Sequence, residues 1–239
     1  MLSKQQIGDR VWAIYGDTTE EVGRAFIRFQ EFYENEQLRG KLNITIKDIE
    51  NWWNLARKEQ DTTEDYCEFW QGFNVPGIVF TSTLYSPVFR QMMDQTGEKR
   101  YFPEEEELIK LILEQPTKEI HQSYYIGLGK NVDHVFDHEV AHALYATNHN
   151  YKSSQLYNIS RLPKNIFAML HDDLISMGYD KMVVVDEMQA YLSTYTDVLA
   201  ETLDTDAYNQ FTEPFVTTFK SYQGFQRTAK IVDKTQMPS

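Results

Sequence analysis

Two histidines and a glutamate within five residues of one another could bind a metal ion and activate water. His138 and His142 lie four residues apart in the stretch DHEVAHALYATNHN, and Glu139 directly follows the first of them. On an α-helix, residues four apart lie on one face, one turn above each other, so both imidazoles can point at the same ion. The pattern His-Glu-x-x-His therefore predicts a metal site on a helix.

The chemistry expected of such a site is hydrolysis. A zinc ion held by two imidazoles and one further ligand keeps a fourth position for water and lowers the pKa of that water. A neighbouring glutamate can accept the proton while the water attacks a carbonyl. We therefore predict His138 and His142 as zinc ligands and Glu139 as the general base. The competing interpretation is an ordinary buried helix whose histidines are satisfied by hydrogen bonds.

The third protein ligand must come from another part of the chain. His149 follows seven residues after His142, but the three-histidine form of the pattern needs a glycine and a histidine where this chain has Tyr145 and Asn148. Glu187 is the better candidate because it belongs to a second helical pattern, VVVDEMQAYLSTY, about 45 residues downstream. A carboxylate there can complete a site with the two histidines.

Four of these residues, His138, Glu139, His142 and Glu187, together resemble the site of the gluzincins, zinc metallopeptidases in which a downstream helix supplies a glutamate to the metal. The resemblance covers roughly residues 120 to 200. It implies a zincin-like core, with a small sheet beside the motif helix and a second helix carrying Glu187, and it implies a peptide or protein substrate. One position departs from the family pattern: several gluzincins have an aspartate where this chain has Tyr191.

The groups that support the metal ligands stay open at the level of the sequence. Metal-bound imidazoles usually donate their second N–H to a carboxylate or carbonyl. The aspartates that could serve are Asp133, Asp137, Asp172 and Asp186. His134, four residues before His138, is expected to be a histidine on the helix surface.

Charge that develops during hydrolysis could be stabilised by a phenol or an imidazole near the zinc. We take Tyr191 as the candidate catalytic phenol. The sequence also offers Tyr145, Tyr195 and His171. By the resemblance, a peptide would align along an edge strand above the motif helix. The stretch from Glu119 to Leu128 is the candidate for that strand, and an ordinary core strand is an equally good interpretation of it.

Composition limits the partners and the location of the protein. The formal charge is −13, from 36 acidic and 23 basic residues, and no block of basic residues could follow a phosphate backbone. Nucleic acids and anionic membranes are therefore not expected as partners. No apolar run suits a signal peptide or a membrane span, and Cys67 is the single cysteine. We predict a cytoplasmic protein, although export without a cleavable signal would leave no trace, and the oligomeric state stays open.

The pattern of elements predicts an α+β fold that is mostly helical. We expect one zincin-like domain over residues 1–226, with a mixed α/β part (1–115) and a metal-site helical part (116–226), followed by a flexible tail (227–239). The predicted strands are one at 41–46, where apolar residues alternate, and two short ones within 66–85. The predicted helices are 18–36, one from Asp48, Pro87 to Met93, Pro103 to Leu113, the motif helix, Pro163 to Gly178, and 184–199.

Two other functions fit the same residues less well. In the first, a non-catalytic zincin-like binding protein grips a protein partner through the aromatic surface of residues 52–85. In the second, two histidines and a carboxylate hold iron for redox chemistry. Neither function needs Glu139 as a base beside the ligands, so the hydrolase remains the leading hypothesis.

Overall fold

The computed structural model describes residues 1–57, 66, 67, 70, 72–94, 101–130, 133–177, 179–194, 205–222 and 224. Four strands are present: β1 (Ser3–Gly8), β2 (Val11–Tyr15), β3 (Gly72–Pro76) and β4 (Tyr124–Leu128). The helices are α1 (Thr19–Glu34), α2 (Ile46–Arg57), α3 (Gly77–Leu84), α4 (Pro87–Asp94), α5 (Pro103–Leu113), α6 (Thr117–Gln122), α7 (Asp133–Thr147), α8 (His149–Ser160), α9 (Lys164–Ser176), α10 (Val184–Thr194) and α11 (Thr205–Ser221). The fold is thus α+β and mostly helical, as predicted.

The four strands form one mixed sheet in the order β1-β2-β4-β3. Strand β4 pairs parallel to β2 and antiparallel to β3, and β1 pairs antiparallel to β2. Because β4 follows residue 115 and its two neighbours precede it, the two predicted parts of the chain share this sheet. Strand β3 forms one edge of it.

Helices cover both faces of the sheet, and the side chains of the strands alternate between them. Phe73 and Val75 of β3 pack with Phe26 of α1 in one cluster of buried residues. Ile126 of β4 packs with Val140 of α7 in another cluster on the opposite face. Asn74 lies between Phe73 and Val75, so its side chain faces α7.

Helix α10 packs against α7 and so brings the second helical pattern to the motif helix. Ala190 of α10 is fully buried in the same cluster as Ala141 and Ala143 of α7. Small residues at a helix contact allow the two backbones to approach closely. Helix α10 also packs against α9 and α11, which hold its other sides through a cluster that includes Met188 and Phe215.

Several predicted elements are confirmed. Helix α1 lies within the predicted 18–36, and it begins after Thr18, whose hydroxyl accepts a hydrogen bond from Glu21 N. Helices α4, α5 and α9 begin at or next to the predicted prolines. Helix α10 begins at Val184 as expected; its predicted last residues, 195–199, and the predicted tail, 227–239, lie outside the described residues. None of the helices in the described ranges has the length and apolarity that crossing a membrane requires.

Three strand predictions are wrong. Residues 41–46 form turns and the start of α2, because Thr45 and Asp48 cap that helix reciprocally and only Ile44 of the alternating residues is in the core. Residues 77–84 form α3 rather than a second strand. This helix packs against α6, and at their contact a side chain on Gly77 would collide with the Ile120 carbonyl.

The third is the edge strand at 119–128: of the two interpretations of this stretch, the core strand is confirmed for Tyr124–Leu128 and the edge strand is wrong. The first part of 119–128 is helical and belongs to α6, and β4 lies inside the sheet between β2 and β3. Strands β1 and β2 were not predicted at all. Strand β1, SKQQIG, has Ile7 as its single apolar residue, and β2, VWAIY, is a short continuous apolar run, so neither shows an alternating period-2 pattern.

Candidate metal centre

Helix α7 holds the two motif histidines against each other in the interior. The Nε2 atoms of His138 and His142 are 3.2 Å apart, and the ring centroids are 4.8 Å apart in a T-shaped arrangement. Both residues are buried, at 7% and 2% exposure. The spacing of four residues therefore has the expected result, since both imidazoles present their Nε2 atoms to one point.

Glu187 reaches the same point from α10. Its Oε2 atom lies 3.6 Å from His138 Nε2 and 3.5 Å from His142 Nε2. The residue is buried, and Oε2 accepts no hydrogen bond within the described part of the chain. Burial raises the pKa of this carboxyl, but the imidazoles of His142 and His138 outweigh burial and bring the pKa to about 2. An ionised oxygen without a donor, facing two ring nitrogens, is the arrangement of a ligand set.

The separations suit a small divalent cation. Ligand atoms about 2.0–2.1 Å from a tetrahedral zinc ion are roughly 3.3 Å apart. The three ligand atoms here are separated by 3.2, 3.5 and 3.6 Å. Among the described residues, His138, His142 and Glu187 are the single group of His, Cys, Asp and Glu side chains that could hold a metal ion. Two imidazoles and one carboxylate also match the donor set of catalytic zinc sites.

Asp186 supports one of the histidines. Its Oδ1 atom lies 3.0 Å from His142 Nδ1 and also accepts a hydrogen bond from Gln189 Nε2. Burial lowers the pKa of His142, but the carboxylates of Glu187 and Asp186 outweigh it and raise that pKa well above its ordinary value. When Nδ1–H donates to Asp186, Nε2 is left to act as a ligand. Of the four candidate aspartates, Asp186 is thus placed at the site, while Asp172 contacts His171.

Glu139 lies on the side of α7 that faces the sheet. Asn74 of β3 donates a hydrogen bond from Nδ2 to Glu139 Oε2 at 3.0 Å, and the Tyr124 hydroxyl donates to Asn74 Oδ1 at 2.5 Å. Glu139 Oε1 has no hydrogen-bond partner among the described residues. Burial raises the pKa of Glu139, and the nearby His138 and His142 oppose that rise. A carboxylate fixed through one oxygen, with the other free, is suited to proton transfer.

Asn74 was missed by the sequence analysis. The available signal was a polar residue between Phe73 and Val75, both apolar, in a stretch expected to be a strand. That pattern could have indicated a polar contact on the opposite face, although it could not have identified Glu139 as the partner.

The predicted catalytic phenol lies next to the ligands. The Tyr191 ring packs edge-on against the His138 ring at 4.8 Å between centroids, and its hydroxyl lies 3.0 Å from the Tyr179 hydroxyl. Burial is the main cause of the raised pKa of Tyr191. Tyr191 therefore occupies a position from which it could contact a substrate, and Tyr179 is a second phenol there that the sequence analysis did not select.

Three other candidates, His149, Tyr145 and His171, are not brought to the ligands. His149 is exposed at the start of α8, and the Tyr145 ring lies under Lys152 Nζ at 4.4 Å. His171 contacts Asp172 on α9. Tyr195 and the side chain of His134 lie outside the described part of the structure. The comparisons with known proteins gave no match, since neither a protein-family model nor a curated protein nor a solved structure resembles this chain at a significant level.

Proposed function

We propose that this protein is a zinc-dependent hydrolase, and specifically a metallopeptidase of the gluzincin kind. The observation that carries the proposal is the convergence of the ligand atoms of His138, His142 and Glu187 within 4.8 Å of one another; Glu139, next to His138 on the same helix, is also buried, and the two histidines act on its pKa. Zinc held by these three residues would polarise a carbonyl group and lower the pKa of a water molecule.

Glu139 is the general base in this proposal. Burial raises its pKa above the ordinary value, and a carboxylate with a higher pKa is a stronger base. The hydrogen bond from Asn74 Nδ2 holds one carboxylate oxygen and leaves Oε1 to exchange the proton. Tyr191, packed against His138, is the candidate donor to the negative charge that develops on the substrate.

Strand β3 supports a peptide as the substrate. It forms an edge of the described sheet, it lies against α7, and it carries the asparagine that contacts Glu139. An extended peptide can add to such an edge through main-chain hydrogen bonds. Strand β3 takes the role that the sequence analysis gave to residues 119–128.

The alternative, a non-catalytic binding protein with the same fold, is the less favoured proposal. A metal site that only stabilises a fold needs ligands and no base. Here a buried carboxylate beside the ligands is held by Asn74, which Tyr124 holds in turn. Burying a carboxylate raises the free energy of the folded state, and catalysis would account for why Glu139 is nevertheless buried here.

The test is the variant Glu139→Gln in protein with a full complement of zinc. We expect about one zinc per chain by elemental analysis in both the variant and the unaltered protein. In a library of fluorogenic peptides, kcat/KM of the variant should fall by at least about a hundredfold, because the base is lost while the ligands remain.

Glu106→Gln is the matched control, since Glu106 is exposed on α5 and paired with Lys110 at 2.8 Å. Its kcat/KM should equal that of the unaltered protein. Equal hydrolysis by Glu139→Gln and the control would refute the role of Glu139. Zinc binding with no cleavage of any peptide by the unaltered protein would favour the binding-protein alternative.

A further inference from the structure

A cavity lies between the end of α1 and the segment that precedes α10. It holds about 710 Å³ of empty space, part of it open to solvent. One wall comes from residues 30–37, at the end of α1 and just after it, and another from Tyr179, Asp180 and Val183. Trp52, Tyr66 and Trp70 complete the lining. Trp52, Tyr66 and Trp70 fall within the aromatic stretch 52–85 that the binding-protein hypothesis used, and the other lining residues were not predicted as a site.

The cavity borders the metal centre. Tyr179, in its wall, contacts the Tyr191 hydroxyl at 3.0 Å, and Tyr191 packs on the ligand His138. A group bound in the cavity would therefore lie beside a substrate at the metal.

The lining is acidic and aromatic. Four carboxylates belong to it, and no lysine, arginine or histidine does so among the described residues. Asp180 is paired with Arg39 at 3.0 Å, and Glu36 lies 3.5 Å from Lys181. Glu31 accepts hydrogen bonds from the neutral side chains of Asn35 and Tyr66, and no salt bridge joins Glu31 or Glu34 to a cation in the described part of the chain. Two carboxylates thus face the cavity without a positive partner.

Gln30 provides an independent sign of a missing donor. It lines the cavity at 7% exposure, and its side-chain oxygen is buried without a hydrogen bond among the described residues. A buried acceptor without a donor is destabilising, so such groups commonly mark the place of a ligand or a water molecule. Gln30 and Glu34 are one helical turn apart on α1, so both can accept from the same donor-rich group.

The aromatic walls complete the chemistry. Trp70 packs edge-on against Tyr179 at 5.4 Å between centroids, and Trp52 and Tyr66 also belong to the lining. Aromatic rings attract cations through their faces, and tryptophan does so most strongly. Acceptors, unpaired carboxylates and aromatic rings together select a group that is positively charged and rich in N–H donors.

We propose that this cavity binds a primary ammonium group of the substrate beside the bond that is cleaved. In a peptide this group is either a lysine side chain or the free amino terminus. Only the identification of the bound molecule as a peptide rests on the proposed peptidase function. Binding of the cation depends on the cavity alone and can be measured in metal-free protein.

The experiment uses isothermal titration calorimetry on the full chain, without and with zinc. The probes are N-acetyl-lysinamide for a side-chain ammonium, leucinamide for a terminal ammonium, and N-acetyl-norleucinamide as the uncharged match. We expect one charged probe to bind at least about tenfold more tightly than the uncharged one. Glu34→Gln should abolish that difference, while Glu106→Gln should leave it unchanged. Whichever charged probe binds identifies the source of the cation.

A second variant, Trp52→Leu, keeps the test valid if Glu34→Gln does not fold, and it should weaken binding of the charged probe by a similar factor. Equal affinity for all three probes, or no binding of any, would overturn the proposal. If Glu139→Gln and its control Glu106→Gln hydrolysed peptides with equal kcat/KM, the peptidase function would be refuted. The measured binding of the charged probe in the cavity would not be affected. The two failures are therefore distinguishable.

Discussion

At the scale of the residue, two carboxylates of α10 fix the orientation of His142. One ring nitrogen lies 3.5 Å from Glu187 Oε2, and the other lies 3.0 Å from Asp186 Oδ1. Adjacent residues of α10 therefore contact opposite sides of the same imidazole, so the ring cannot turn without losing one of the two. Fixing the ring in advance reduces the entropy lost when a metal binds.

Substitutions on α10 should distinguish the proposed zinc ligand, Glu187, from Asp186, which contacts the His142 ring. We expect Glu187→Ala to lose tight zinc binding, because it removes a ligand. Asp186→Ala should weaken zinc affinity by about 10–100-fold, since it removes only the partner of His142. Affinity is measured by competition with a chromophoric chelator.

His149→Ala is the control for these variants, since His149 is an exposed histidine at the start of α8. It should bind zinc as the unaltered protein does. A loss of affinity in His149→Ala equal to that in Glu187→Ala would show that the third ligand has been wrongly assigned.

At the scale of elements, the packing of β3 on α7 positions Glu139, the proposed base. Gly72 begins β3 directly over Glu139, and a Cβ atom there would collide with Glu139 Oε1 and Val135 Cγ1. A glycine at this position allows the strand to approach the helix closely enough for Asn74 to reach Glu139. The same closeness leaves no room for a side chain.

Gly72→Ala should therefore destabilise the protein and disturb the base. The collision should cost about 1–3 kcal/mol of the free energy of unfolding, partly offset by the stiffer unfolded chain of alanine. We expect a lower denaturation midpoint in urea and a lower kcat/KM. Ser3→Ala, at an exposed position of β1, is the control and should change stability by less than about 0.5 kcal/mol. A neutral result for Gly72→Ala would contradict the close contact.

At the scale of the whole molecule, several carboxyl groups of this acidic protein are buried. Glu105 is compensated, since Arg28 donates to it from α1 at 2.5 Å. Glu31 is not, and its partners are the neutral Tyr66 and Asn35. Burial raises the pKa of Glu31 to about 7, despite these hydrogen bonds. The stability of the protein should therefore depend on pH through this residue.

The sign of the dependence follows from the direction of the shift. A carboxyl group whose pKa is higher in the folded state than the ordinary 4.5 binds its proton more tightly when folded. Its contribution to stability is complete below pH 4.5 and is lost as the pH rises to about 7. Glu31→Gln, which mimics the protonated form, should remove this loss.

We expect Glu31→Gln to equal the unaltered protein near pH 4.5 and to exceed it at pH 7.5 by up to about 3 kcal/mol. Urea unfolding of both proteins across this range measures the difference. Glutamine can still accept from Asn35 and donate to the Tyr66 oxygen, so the contacts are conserved. A difference that is constant with pH would contradict the raised pKa.

The sequence by itself determined the parts of this protein that depend on local geometry. The positions of His138 and His142 on one face follow from the pitch of a helix, and most helices could be read from prolines, caps and periodic apolar residues. Glu187 could be chosen because its own helix presents it next to small residues. The α+β class and the residues of the candidate metal site were thus available without coordinates.

Only the tertiary structure decided what lies opposite these residues. Asn74 and Glu139 are 65 positions apart, and their contact depends on the pairing of β3 with β4 and on the packing of that sheet against α7. The cavity beside the metal centre likewise forms where α1 meets residues 179–183. Local patterns fix which face of an element a residue occupies, but the partner across that face is set by packing between segments distant in sequence.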